Sequence, residues 1–231
     1  MLKKRYARWM YEWEYRLTTR DENRVVRPLE WGFEWVAPWL EAHGFAGALP
    51  RPDADLDEAS AEAAMVRINQ ILIENSNEFF GYAQPTDFRL EERHPMLFPT
   101  NVRPETLEQE AEIRRMAEEG RIEKASFLRF TSPERTPYPE NDQVNARWYP
   151  APAHKDPARP KQAIVVLPQW NADAFSHNAL CAIFNKFGVS ALRLSKPYHD
   201  IRRPSELERS DYAVSANIGR TISACRQAVL G

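Results

Sequence analysis

Residues 162–200 read QAIVVLPQWNADAFSHNALCAIFNKFGVSALRLSKPYHD. Ala163 to Leu167 is an unbroken apolar run rich in β-branched residues, the pattern of a strand buried on both faces. Pro168 has no N–H for a sheet ladder and ends it. Gln169-Trp170-Asn171 makes a short turn, and Asp173 is a good helix N-cap. Phe175, Ala179, Leu180, Ile183, Phe184 and Phe187 then recur at helical spacing. Gly188 supplies the positive φ that closes many helices, and Val189 to Leu194 is a second apolar strand. Strand, turn, one-sided helix and strand define a βαβ unit, which crosses over right-handed. The fold class is α/β.

Upstream of this unit, Ser126–Thr131 and Val144–Tyr149 alternate as strands around a turn rich in proline and asparagine, an antiparallel pair. Downstream, residues 196–210 form a polar loop. A last helix follows over Ala213–Leu230, with Val214, Ile218, Ile222, Cys225 and Val229 on its inner face. Residues 1–124 read as a helical, Trp-rich N-terminal region and 125–231 as the α/β core. Within the first region, a helix spans residues 1–17, with Leu2, Tyr6, Trp9, Met10, Trp13 and Leu17 on one face. A second helical piece starts at Pro28 and ends near Pro38 or at Gly44. A long helix, opened by a capping box from Asp55 to Glu58, runs to about Phe80 with Ala61, Met65, Ile68, Leu72 and Phe79 inward. Residues 81–104 read as loop, and Thr106–Glu119 as a solvated helix.

Composition narrows the function. A net charge of −2 gives no general pull towards nucleic acid or an anionic membrane. Acidic residues among the basic and aromatic ones of the first helix spoil a phosphate-tracking stripe, so nucleic acid is not an expected partner. No apolar run reaches the roughly 18–20 residues that span a bilayer, and residues 1–17 lack the apolar stretch of a secretory signal. The expectation is a cytoplasmic protein. Trp9, Trp13, Trp31, Trp35 and Trp39 ask for a partner surface: their own domain, a second copy, or a membrane on which residues 1–17 lie flat. The two cysteines, Cys181 and Cys225, fall on predicted helices and read as reduced. Five histidines and two cysteines show no C-x-x-C or H-E-x-x-H spacing, and the eight glycines form no phosphate loop. No metal and no cofactor is expected.

Four segments carry a resemblance: Phe130-Thr131-Ser132-Pro133, Pro137-Tyr138-Pro139-Glu140-Asn141, Val166 to Asp173, and Asn217-Ile218-Gly219-Arg220-Thr221. With the strand order they resemble the start of the α/β-hydrolase superfamily, and most closely the bacterial relatives of alpha/beta hydrolase domain-containing protein eighteen. The likeness covers about residues 125–231, and Arg27 to Gly32 more loosely. It implies a serine hydrolase acting on ester or related acyl bonds, small-molecule or lipid. It also implies the strand order 1-2-4-3, with an oxyanion-hole turn after the third strand. Trp170 would donate its backbone N–H there, flanked by Gln169 and Asn171, one such donor contributing about 3–4 kcal/mol to catalysis. Tyr198 and His199, in the loop after the fourth strand, are candidates for the substrate pocket.

The superfamily's G-x-S-x-G elbow is absent from the 231 residues. The chain therefore reads as the N-terminal portion of such an enzyme, inactive alone, with nucleophile, acid and histidine supplied from elsewhere. His199-Asp200 does not make a catalytic pair, because adjacent side chains in an extended loop point apart. Ser195 lacks the small neighbours of an elbow, and His177 reads as a surface group. If Gly231 ends the protein, Ile164 to Leu167 becomes a bare, apolar edge. Two rival readings follow: a non-catalytic α/β module that pairs through this edge, and a membrane-peripheral lipid esterase.

Overall fold

A computed structural model describes residues 8–9, 12, 28–51, 56–94, 111–112, 114–121, 123–153, 160–172, 174, 176–207 and 209–231. Residues 31–231 form one compact unit, and residues 1–30 are set apart as another. In the smaller unit Arg8, Trp9 and Glu12 are helical and exposed. The rest of the helix expected over 1–17 lies outside the described residues. So do Asp55, Asp173 and Phe175.

The larger unit is mixed α/β. Its elements are α1 (Phe33–Ala42), α2 (Glu58–Glu74), α3 (Ser76–Phe79), β1 (Arg89–Arg93), β2 (Ala125–Thr131), β3 (Gln143–Tyr149), β4 (Ala163–Val166), α4 (Asn178–Lys186), β5 (Ser190–Leu194) and α5 (Ile218–Leu230). Residues 114–118 are also helical. The sheet order is β1-β2-β3-β5-β4. β1, β2, β3 and β5 pair antiparallel in succession, and β4 runs parallel to β5. Both sides of the expected 124/125 division contribute to this unit, since β1 pairs β2 and α1 packs on α5.

One core is helical. Val36, Trp39 and Leu40 of α1 meet Met65, Ile68 and Leu72 of α2 and Phe79, with Ile218 and Ile222 of α5 at the margin. Trp39 meets Phe79 edge-on at 5.2 Å. α1 runs through Pro38 rather than stopping there, because Trp39 and Leu40, buried just beyond it, hold the last turn down. The cap of α2 is Asp57, whose carboxylate accepts from the Ser60 N–H at 2.8 Å. The second core lies between sheet and α4: Val166, Cys181 and Ala191, edged by Tyr149, Ile164 and Phe184.

Several expectations are corrected. Residues 89–93 form an edge strand instead of loop. Its charges are paired, Arg89 and Arg93 reaching Glu91 within the strand and Arg129 reaching it from β2, and Asp87 accepts from the Thr131 N–H at 3.0 Å. β4 is buried on one face only, with Val165 59% and Leu167 60% exposed. α4 opens at Asn178, not Asp173, after His177 at φ 69°. Its Leu180, Ile183 and Phe187 face solvent while Cys181 points in. α5 opens at Asn217, and its buried face is Gly219, Ser223, Ala224, Gln227 and Leu230, leaving Val214 and Val229 exposed. Polar partners explain that rotation: Gln227 donates to the Glu134 carbonyl at 3.2 Å and accepts from Asn141 at 2.7 Å.

Candidate functional site

Among the described residues, four that are not glycine adopt positive φ: Asn171 (57°), His177 (69°), Tyr198 (60°) and Asp200 (38°). Each such residue costs about 1–2 kcal/mol, and strain of this kind clusters where a site needs a special backbone path. Asn171 follows β4, Tyr198 and Asp200 follow β5, and His177 opens the helix between them. The strain is gathered at the carboxyl ends of the parallel pair, where ligands of open α/β sheets bind.

The turn after β4 closes when the Ala172 N–H donates to the Gln169 carbonyl at 3.3 Å. Pro168 below it is fully buried, whereas Gln169, Trp170 and Asn171 are exposed. Among the described residues no acceptor is paired with the Trp170 N–H. The Asn171 side-chain oxygen accepts from the Ser210 N–H at 3.1 Å, and the Arg209 guanidinium lies 4.7 Å from the Trp170 ring centroid. These two contacts tether the 204–210 loop beside the turn.

The loop after β5 turns inward. Tyr198 is fully buried, its N–H donating to the Asn141 side chain at 2.8 Å and its ring edge-on to Tyr138 and Tyr212. His199 is also buried, with Nδ1 2.7 Å from the Pro197 carbonyl and Nε2 unpartnered. Asp200 binds Arg193 at 2.5 Å in a site closed to solvent on both sides. The fully buried Arg202 donates to the carbonyls of Asn141, Ser195 and Gly231 at 2.9–3.0 Å, and burial pushes its guanidinium down to about 10. Ser195 accepts from Asn145 and Arg193 at 3.4 Å, beside a cavity of about 10 Å³, so it serves a buried polar knot.

The structure thus keeps Gln169, Trp170 and Asn171 together at the surface and places Tyr198 and His199 beneath the loop. Neither lines that cavity or the larger cleft described below. The feature the residue pattern missed is the hub at Asn141, which joins the 133–142 turn to both the strand-end loop and α5. Cys181 is buried and Cys225 exposed, both free thiols. Among the described residues no group of three His, Cys, Asp or Glu side chains gathers as a metal site, and no helix is long and apolar enough to cross a membrane.

His199 makes a pH prediction. Burial pushes its imidazole below the ordinary 6.5; Lys196 and Arg193 push the same way, and the Pro197 carbonyl and Asp200 oppose them. The unfolded chain takes up this proton near pH 6.5 and the folded chain only lower. Between those values the unfolded state holds more protons, so stability rises with pH. Acidification from 7 to 5.5 is expected to cost up to about 1.4 kcal/mol per unit below 6.5, and His199→Gln to flatten that loss. Denaturant unfolding at the two pH values checks it; parallel losses in both proteins would exclude His199.

The chain was compared with protein-family models and with curated protein sequences, and neither comparison gives a match.

Proposed function

We propose that this chain carries the oxyanion-hole half of an α/β-hydrolase-fold serine hydrolase acting on ester or related acyl bonds. The observation that carries the reading is the strand arrangement β2-β3-β5-β4, antiparallel up to β5 and parallel thereafter, with a strained turn at the end of β4. It is the order and direction in which that superfamily lays down its first four core strands.

In this reading the Trp170 N–H donates to the carbonyl oxygen as it gains charge during acyl transfer. Asn171 holds the turn open against Ser210, and Trp170 keeps its ring against Arg209. The attacking serine comes from a strand laid along the free side of β4. The two sheet edges differ in a way that favours such a neighbour. β1 is blunted by Arg and Glu, as isolated edges are; β4 offers an uncharged ladder. Val165, Leu192 and Trp148 form an apolar row across β4, β5 and β3 on the face away from α4, and none of the three is fully buried. Parallel sheets are normally covered on both faces.

The exposed β4 edge, together with the exposed Leu180, Ile183 and Phe187, also favours a second reading, a module that pairs through this edge without catalysis. The lipid-esterase refinement rests on residues 1–17.

A fluorophosphonate probe separates them. In this reading the 231-residue polypeptide alone stays unlabelled, and a longer protein that carries it labels on one serine in a G-x-S-x-G elbow. Trp170→Pro, which deletes the N–H, should slow that labelling roughly 10²–10³-fold with unchanged circular dichroism. Adduct formation on Ser195, or on any serine of residues 1–231, contradicts the assignment, and a natural protein that never labels favours the pairing module.

A further inference from the structure

α1 and the 133–137 turn enclose a cleft of about 670 Å³, within the range of small-molecule sites. One wall is a helix face: Glu34 and Trp35, then Pro38 and Trp39, then Ala42 and His43. The opposite wall is Pro133 to Pro137, and Arg220 and Arg226 of α5 complete the lining.

Most of the polar groups here are committed. Glu134 takes Arg226 as its ion pair and accepts from the Ser223 hydroxyl at 2.9 Å; Arg226 also donates to the Phe79 carbonyl at 2.7 Å. Thr136 is bonded to Asp142 through both its N–H and its hydroxyl. His43 spends Nδ1 on the Trp39 carbonyl.

Arg220 is different. Its guanidinium lies over two rings, 5.0 Å from the Trp35 centroid and 4.2 Å from that of Tyr212. Among the described residues it meets no carboxylate and donates no side-chain hydrogen bond, and its buried Nε is unpartnered. A guanidinium packed over aromatic rings loses little further freedom when it forks onto a carboxylate. Arg135 stands exposed at the rim, and Glu34 opposite it disfavours a second negative charge.

We propose that this cleft binds a small organic carboxylate with a flat, apolar body: the carboxylate forks onto Arg220 and the body lies along the indole of Trp35. One inward cation with an acidic rim suits a monoanion better than a phosphate dianion. This inference is independent of the hydrolase reading, because the cleft shares no lining residue with the strand-end turn.

Calorimetric titration of the folded chain with 2-naphthoate tests it, alongside the neutral 2-naphthamide and the dianionic 2-naphthyl phosphate. Naphthoate is expected to bind about tenfold or more tighter than the amide, and tighter than the phosphate. Arg220→Gln should abolish the preference for naphthoate over the amide, and Arg135→Gln should leave most of it. Equal affinity for naphthoate and amide in the unaltered protein overturns the proposal without recourse to a variant, and so does absence of naphthoate binding. A tighter phosphate overturns the monoanion assignment. An Arg220→Gln protein that folds and retains the preference moves the site elsewhere.

Discussion

Gly219→Ala is expected to cost at least about 3 kcal/mol, a large loss for one methyl group. α5 meets the residues before α1 backbone to backbone, the Gly219 N–H donating to the Trp31 carbonyl at 3.0 Å. A Cβ on Gly219 would overlap the Gly32 carbonyl oxygen and lie 2.6 Å from its carbon. A backbone carbonyl cannot swing aside as a side chain can. Gly32 in turn sits at φ 67°, and a Cβ there would strike the Asn217 side chain, whose oxygen caps α5 through the Arg220 N–H at 2.8 Å. The whole helix must therefore move away from Trp31. Thermal melts should show a Tm lower by about 6–12 °C for a unit of this size. Gly47→Ala, where an added Cβ meets nothing within 4 Å, is the matched control. Equal melting of the two variants would mean that α5 is not seated on this segment. Because Arg220 follows Gly219, the naphthoate site is expected to weaken in step.

What was legible in the residues was what depends on local period. The βαβ unit from Ala163 to Leu194 stands out because its apolar runs are long and its punctuation, Pro168 and Gly188, is local. β1 was not legible, since Arg-Leu-Glu-Glu-Arg alternates nothing apolar. It is a strand because partners 38 residues and more away complete it, Arg129 pairing with Glu91 and the Thr131 N–H donating to Asp87. The inner face of α5 was misjudged for a related reason: Ser223 and Gln227 are buried by bonds to Glu134 and Asn141, which apolar periodicity cannot register. The exposed turn at Gln169 to Asn171 followed from the end of the strand. The inward path of Tyr198 did not, because it depends on positive φ at Tyr198 and Asp200 and on Asn141 receiving the Tyr198 N–H. The cleft could not be read at all. Trp35 looks like core and Arg220 like a solvated helix residue until the fold places one over the other.

Asp200→Asn is expected to destabilise the fold by about 3–5 kcal/mol, the usual consequence of removing one partner from a buried ion pair. The Arg193 and Asp200 side chains are 3% and 0% exposed. Arg193 also donates to the Ser176 carbonyl at 3.1 Å and reaches the Ser195 hydroxyl, but neither acceptor carries a charge. Asp200 lies close enough to the fully buried Arg202 to favour its charged form as well. Asp200 thus faces two guanidinium groups in a region closed to water, Asp142 also favouring the charge on Arg202, and the amide offsets neither. Asparagine is the informative replacement because it tolerates the positive φ at this position, leaving charge as the difference. Replacing both partners, Asp200→Asn with Arg193→Met, removes a buried cation along with its anion and should restore part of the loss. A coupling energy of about 2 kcal/mol or more in the double-mutant cycle is expected. Coupling near zero would show that Arg193 is neutralised by something other than Asp200, and the loop after β5 would then owe its inward path to Asn141 and Arg202 alone.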